Sequence, residues 1–343
     1  MTPVTKANRK LGASSLSVFP IGLGCMSLSG VYGKSDDAEG IRVVHHAIDR
    51  GITFLDSSDM YGWGHNENLL GKAMAGGRRA KVVLATKFGQ TQQPGGANGV
   101  NGRPEYVMSA CEASLKRLAT DYLDVFYLHW PNPDIPLEDS LAALRDLREA
   151  GKIRCAGVCN FGHFYLRQLA AARDSGIVTL HQLPYSLFWR PIEYEILPQS
   201  REQNLTVVAY SVLAQGLLTG RYRSASDVPA SLHVTRFYAD GPHGESGCEA
   251  EIFEALAELR REAAGAAIPL SDLAIQWALR QAGVGVVLAG ARTPAESVEN
   301  ARALNQNVDE ALLDRFTTIS ERVKLKLGSN PDMWMNAAQS RFK

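Results

Sequence analysis

Eight short apolar runs recur along this chain, most of them followed by a segment with helical hydrophobic spacing, and that alternation restricts the fold more than any other feature. The runs are 21 to 24, 52 to 55, 82 to 86, 123 to 128, 153 to 158, 179 to 183, 206 to 210 and 284 to 288. Helices are predicted at 36 to 50, 66 to 75, 104 to 118, 137 to 150, 161 to 175, 192 to 203, 250 to 264, 270 to 282 and 294 to 304. In the first of these Ile41, Val44, Ala47 and Ile48 share one face, acidic residues open the segment, and Gly51 follows it. Pro104 suits the first turn of another. Strands alternating with amphipathic helices predict an α/β chain folded as an eight-stranded (β/α)8 TIM barrel.

A doubly wound sheet is the competing architecture. Gly22 and Gly24 are followed by Ser27 where a dinucleotide fingerprint would place its third glycine, which argues against it. The barrel reading makes residues 1 to 343 one domain. A hairpin occupies about 9 to 20, the barrel about 21 to 304, and a C-terminal helix and tail about 305 to 343. Three segments stand outside the alternation: the Gly/Asn-rich loop from Gly89 to Arg103, the loop from Tyr222 to Glu249, and the tail from Leu327 to Lys343. The first two follow the third and seventh barrel strands, so they would overhang the carboxyl mouth as long substrate loops. Nothing in the alternation fixes the tail.

Bulk properties exclude several classes. Lys plus Arg equal Asp plus Glu at 36 each, so there is no net basic field to draw the chain onto nucleic acid or an acidic membrane. Cys25, Cys111, Cys155, Cys159 and Cys248 are odd in number and include no CxxC pair, which suits packed thiols in a reducing compartment. No apolar stretch follows the basic residues near Met1, and no run of 18 apolar residues occurs. A cytoplasmic location is expected. His45 and His46 have no partner at metal-ligand spacing, and no metal is expected.

The chemistry lies at the ends of the runs. Asp56, Tyr61, Lys87 and His129 each sit at or just beyond the end of one, and barrel enzymes assemble their sites at that face. A phenol has a reference pKa of about 10, and an ammonium beside it is expected to lower that value. At about 4 Å and an effective dielectric of roughly 20 the attraction is on the order of 4 kcal/mol, with desolvation opposing it. Lys87 is the expected ammonium, Asp56 the carboxylate that keeps it charged, and His129 the group that hydrogen-bonds a substrate oxygen beside Tyr61. Any one of the four alone reads as structural; the set reads as proton-transfer machinery. Asn160, Gln182, Tyr210, Ser211 and residues 290 to 293 extend the ring of polar strand ends. Trp63 and Trp130 follow the second and fourth strands and are expected to face substrate, with Tyr32 and Trp334 as further candidates.

Phe54-Leu-Asp-Ser-Ser-Asp-Met-Tyr61, Ala85-Thr-Lys87, Tyr127-Leu-His129, Gly157-Val-Cys-Asn-Phe161, Tyr210-Ser-Val-Leu-Ala-Gln-Gly-Leu217 and Gly290-Ala-Arg-Thr-Pro-Ala-Glu-Ser-Val-Glu-Asn300 together resemble the aldo-keto reductases, near the bacterial branch that includes the potassium-channel beta subunits. The resemblance runs from the hairpin to about Asn300. It implies nicotinamide-dependent reduction of an aldehyde or ketone, with Tyr61 as general acid, Lys87 and Asp56 tuning it, and His129 orienting the carbonyl. It also implies that Asn160 and Gln182 hold the carboxamide and that Tyr210 stacks on the nicotinamide. Ser211, Leu213, Gly216, Leu217 and Arg221 would line the pyrophosphate and ribose; Gly290, Arg292, Glu296 and Asn300 would line the adenosine end, with Gly24 and Met26 also against the cofactor.

Cys159 stands where serine is usual, Val212 where proline is common, and Glu296 near the position of an adenosine 2′-phosphate. NADPH is the expected cofactor, with NADH as the alternative. The expected partner is a small carbonyl or alcohol; oligomeric state is not legible. Two other readings stay open: NAD-dependent oxidation of a sugar or polyol, suggested by Glu296 and by His233, Arg236 and His243, and a cofactor-binding redox sensor with little turnover.

Overall fold

The structure, a computed structural model, describes residues 6–30, 35–92, 98–172 and 174–343. Two antiparallel strands come first, β1 (Arg9–Lys10) and β2 (Ser17–Val18), forming the expected hairpin. Eight parallel strands then close into a barrel: β3 (Ile21–Gly24), β4 (Phe54–Asp56), β5 (Val83–Phe88), β8 (Leu123–Leu128), β9 (Ile153–Cys159), β10 (Val178–Pro184), β11 (Thr206–Tyr210) and β12 (Val284–Gly290). Closure is made where β12 pairs with β3, Gly290 lying opposite Gly24. The barrel expectation is borne out.

Period-2 alternation sorts the strands' side chains into two cores. Phe54, Ala85, Val125, Tyr127, Cys155, Leu180, Val208, Val286 and Leu288 form one cluster inside the barrel, and Leu11, Leu16 and Val18 of the hairpin join it. Phe126 and Leu128 belong instead to the layer shared with the helices. Gly12 donates its backbone N–H to Thr206 Oγ1 at 2.7 Å, and Arg9 donates to the carbonyls of Leu279 and Val284. The hairpin therefore closes the amino-terminal end and leaves the carboxyl end open for function.

The helices α1 (Asp37–Asp49), α2 (His65–Ala73), α3 (Pro104–Leu118), α4 (Leu137–Glu149), α5 (His163–Ala171), α6 (Ile196–Glu202), α7 (Glu249–Gly265), α8 (Leu270–Arg280), α9 (Pro294–Arg302) and α10 (Glu310–Leu327) follow the expected order. Among the described residues no helix is long and apolar enough to cross a membrane. The segment expected as one helix from 192 to 203 is a 3-10 turn, Pro191–Glu193, followed by α6. Pro198 accounts for the break, because its ring excludes a helical carbonyl four residues earlier, at Tyr194. The loop from Gly89 to Arg103 contains a second hairpin, β6 (Gln90–Gln92) with β7 (Asn98–Val100), that the alternation does not reveal.

The tail has a definite seat over the mouth. Arg236, in the long loop after β11, donates to the carbonyls of Leu327 and Asn330 at 2.9 and 2.8 Å, and its backbone N–H bonds Met333 O. Beyond this anchor the ring of Trp334 lies parallel to that of Tyr210, with centroids 6.5 Å apart, while Phe342 meets Trp130 edge-on at 5.4 Å. Arg341 lies 3.9 Å over Trp130, held by two side-chain bonds to buried Asp332.

Inside the barrel, a Cβ on Gly157 would fall 2.3 Å from the Tyr127 ring, which is itself fully buried. Gly157→Ala is expected to destabilise the fold by about 1–3 kcal/mol through overpacking. Urea or thermal unfolding checks this, and a midpoint equal to the parent's would show that the interior has slack.

Candidate active site

Strand register assembles the candidate catalytic group. Asp56 pairs with Ala85 across β4 and β5, and Lys87 lies two residues further along β5, on the same face and nearer the mouth. Its long stem brings Nζ to 2.5 Å from Asp56 Oδ1, 2.8 Å from Ser57 O and 3.2 Å from Tyr61 Oη. All three ammonium hydrogens are thus engaged. Lys87 is wholly buried and Asp56 nearly so. Because Lys87 donates to the Tyr61 oxygen, the phenolic hydrogen is left free to donate elsewhere. On the opposite side Gln182 Nε2 donates to Asp56 Oδ2 at 2.7 Å, so the carboxylate is held from both ends.

Electrostatics divide the roles. Burial pulls the Lys87 ammonium down, but Asp56, aided by Tyr61 and Cys159, outweighs it and the net shift is upward. The expectation that Lys87 lowers the Tyr61 phenol overall is corrected: burial, larger than the pull of Lys87, pushes it up to about 12. Tyr61 consequently keeps its proton throughout the neutral range, as a proton donor must. Burial, then Lys87 and Arg341, hold the His129 imidazole well below its usual range, so this ring is neutral. It meets Tyr61 edge-on, with ring centroids 6.3 Å apart, and its Nδ1 lies 3.2 Å from Ser58 Oγ.

The four strand-end residues therefore converge. Around them Asn160 donates its side-chain N–H to His129 O at 3.2 Å and accepts from Tyr210 Oη–H at 2.8 Å. Gln182, expected to face a carboxamide, here commits its nitrogen to Asp56, and Cys159 Sγ lies 3.9 Å from its Oε1. After β11 the backbone turns through left-handed φ at Ser211, Ala214, Gln215 and Gly216. Such a turn gathers N–H groups around an anion. Leu213 and Leu217 lie in the same segment, and Arg221, exposed, follows it.

Gly24 ends β3 opposite both Asp56 and Gly290, and Met26 lies in the 3-10 turn that follows. Asn300 Nδ2 donates to Gly290 O at 3.0 Å, and the Glu296 carboxylate accepts the Arg292 backbone N–H at 2.7 Å. Trp130 is buried under the tail and Trp63 is exposed, 46 % of its surface accessible. Tyr32 lies outside the described residues.

Other groups depart from what the sequence suggests. His233, Arg236 and His243, expected to suit a polyol, pack their own loop: His233 bonds Asp240, Arg236 pairs with Glu245 and the tail, and His243 Nε2 contacts Tyr238 O. Ser58 and Asp59 give no signal of their own, although they lie inside the stretch that supplies Asp56 and Tyr61. Asp332, Arg341 and Phe342 carry no periodic signal either, and their part emerges only with the tail in place.

Residues 20–321 match the Aldo/keto reductase family. Aldo-keto reductase yakc [NADP(+)] of Schizosaccharomyces pombe is 34 % identical over 305 residues, which is 88 % of each chain. The glycerol dehydrogenase AKR11B4 from Gluconobacter oxydans superposes with a TM-score of 0.80 at 27 % identity, covering 96 % of this chain and 98 % of that one. An aldo-keto reductase from Klebsiella pneumoniae solved with NADPH gives 0.72 at 29 % identity, covering 93 % and 96 %. A shared barrel, ordered motifs and similarity over most of its length make this chain a member of the aldo/keto reductase family.

Proposed function

We propose that this protein reduces an aldehyde or ketone with NADPH, Tyr61 delivering the proton to the carbonyl oxygen. The observation that carries the reading is the Lys87 Nζ contact with Tyr61 Oη, made inside a buried ion pair with Asp56. As the phenol loses its proton, the ammonium stabilises the phenolate that forms, in a site where water does not screen the attraction. His129, neutral and close to Tyr61, orients the carbonyl by donating from Nε2. Lys87 and Asp56 do not change partners in the step.

A dinucleotide fits the donor set. The Tyr210 ring offers a stacking face, Asn160 and Gln182 offer amides, and the left-handed turn from Ser211 to Leu217 offers backbone N–H groups for a pyrophosphate. The bound reduced nicotinamide supplies the hydride. The Schizosaccharomyces relative is named for NADP(+) and the Klebsiella enzyme was solved with NADPH, and both support the choice of cofactor. The glycerol dehydrogenase relative favours a second reading, alcohol oxidation at the same site.

Tyr61→Phe is expected to bind NADPH with unchanged Kd and to lose turnover by about 10²-fold or more, the usual weight of a positioned general acid. Fluorescence titration with steady-state kinetics checks this, and near-parental kcat would remove the assigned role. For the cofactor, Glu296 places a carboxylate beside Arg292 at the start of α9. Glu296→Gln is expected to tighten NADPH several-fold and leave NADH unchanged, as read by calorimetry, because a like charge near the 2′-phosphate is removed. An equal change for both cofactors would place Glu296 away from that phosphate.

A further inference from the structure

We propose that Ser58 and Asp59 are positioning residues that set which nitrogen of His129 carries the proton, so that this ring donates to a carbonyl in one state and accepts from an alcohol in the other. The inference rests on the reading of His129 as the group facing the substrate oxygen. Ser58 is fully buried, and its Oγ lies 3.2 Å from His129 Nδ1 and 3.3 Å from Asp59 Oδ1. The Met60 backbone N–H donates to the same Oγ at 3.3 Å, which holds the hydroxyl in place. A serine has one hydrogen to give, and here two acceptors compete for it.

The two arrangements balance. With Asp59 protonated, its O–H donates to Ser58 Oγ, and the serine hydrogen goes to His129 Nδ1. The imidazole proton then sits on Nε2 and points at the substrate oxygen. When Asp59 releases one proton to solvent, its carboxylate takes the serine hydrogen. Ser58 Oγ now accepts from Nδ1–H, and Nε2 holds a lone pair. The ring is neutral in both states, so only the position of its proton changes.

Asp59 titrates where this matters. Burial raises its carboxyl to about 7 and Glu67 on α2 adds to the rise, while Ser58, Arg117 on α3 and the Met60 backbone oppose it. Arg117 is itself paired with Glu67 at 2.6 Å, and Tyr106 on α3 also faces Asp59. The charged groups facing His129 are Lys87 on β5 and Arg341 in the tail, both of which keep it neutral, and Tyr61 lies beside it. As a result kcat/KM for carbonyl reduction declines as pH rises through the Asp59 titration, because the Nε2–H donor is lost.

The test reads the tautomer and the rate separately. Histidine-labelled full-length protein is titrated across neutral pH and the His129 ring nitrogen shifts are followed by NMR, alongside kcat/KM for a carbonyl at saturating NADPH. The expected result is a passage from Nε2–H to Nδ1–H in the parent. In Asp59→Asn, whose amide donates to Ser58 at every pH, the ring stays Nε2–H and the alkaline decline is lost. Ser58→Ala uncouples the ring from Asp59, so its tautomer no longer follows pH while NADPH Kd stays at the parent's value. An Asp59→Asn protein whose tautomer and pH profile superimpose on the parent's would overturn the relay. A tautomer switch that the rate ignores would leave the relay standing and overturn instead the role of His129 toward substrate.

Discussion

The ion pair between Lys87 and Asp56, taken wholly out of water at the open end of the barrel, is the interaction on which the rest of the site depends. Each buried ion costs several kcal/mol in lost hydration, and the pair survives only if its remaining hydrogen-bonding capacity is met. Here Ser57 O and Tyr61 Oη take the other ammonium hydrogens, and Gln182 supports the carboxylate. Removing one partner would leave an uncompensated charge, a loss of roughly 3–5 kcal/mol. So costly an arrangement is poor structural glue. What it provides is a fixed positive charge touching a phenol that burial keeps protonated.

The barrel explains how that charge can be held so firmly. Rigid strands set the spacing of Asp56 and Lys87, an apolar interior lies beneath them, and the amino-terminal hairpin closes the far end. Site groups placed on strands keep their geometry better than groups placed on loops. The rim is built from loop and tail instead, where the tail lays Trp334, Arg341 and Phe342 against Tyr210 and Trp130. Arg341 also reaches the centre electrostatically, since it helps keep His129 neutral. Rim and centre are thereby linked.

Much of this is legible in the residues alone. The runs at Leu123–Leu128 and Thr206–Tyr210 and the helix Pro104–Leu118 have the bounds that periodicity and a first-turn proline assign them. The four converging positions proposed as catalytic follow from one rule, that polar residues at the carboxyl ends of barrel strands meet. What stays hidden depends on balances between opposing effects or on contacts far apart in the chain. Tyr61 is raised rather than lowered because its burial outweighs the pull of Lys87, and burial cannot be measured from spacing. The hairpin at Gln90–Gln92 and Asn98–Val100 lies in a Gly/Asn-rich stretch without apolar alternation. The seat of the tail depends on Arg236, about ninety positions earlier, whose role no local pattern announces. Ser58 and Asp59 escape a sequence reading because small polar residues between two candidate site residues look like turn material.

Single-turnover hydride transfer in Lys87→Met shows whether the Lys87 ammonium is what lets Tyr61 deliver its proton. NADPH is expected to bind close to the parent's affinity, which also certifies the fold, while transfer to a carbonyl slows by about 10²-fold or more. Transfer at the parental rate in a variant that still binds NADPH would leave the ammonium without a part in the proton transfer.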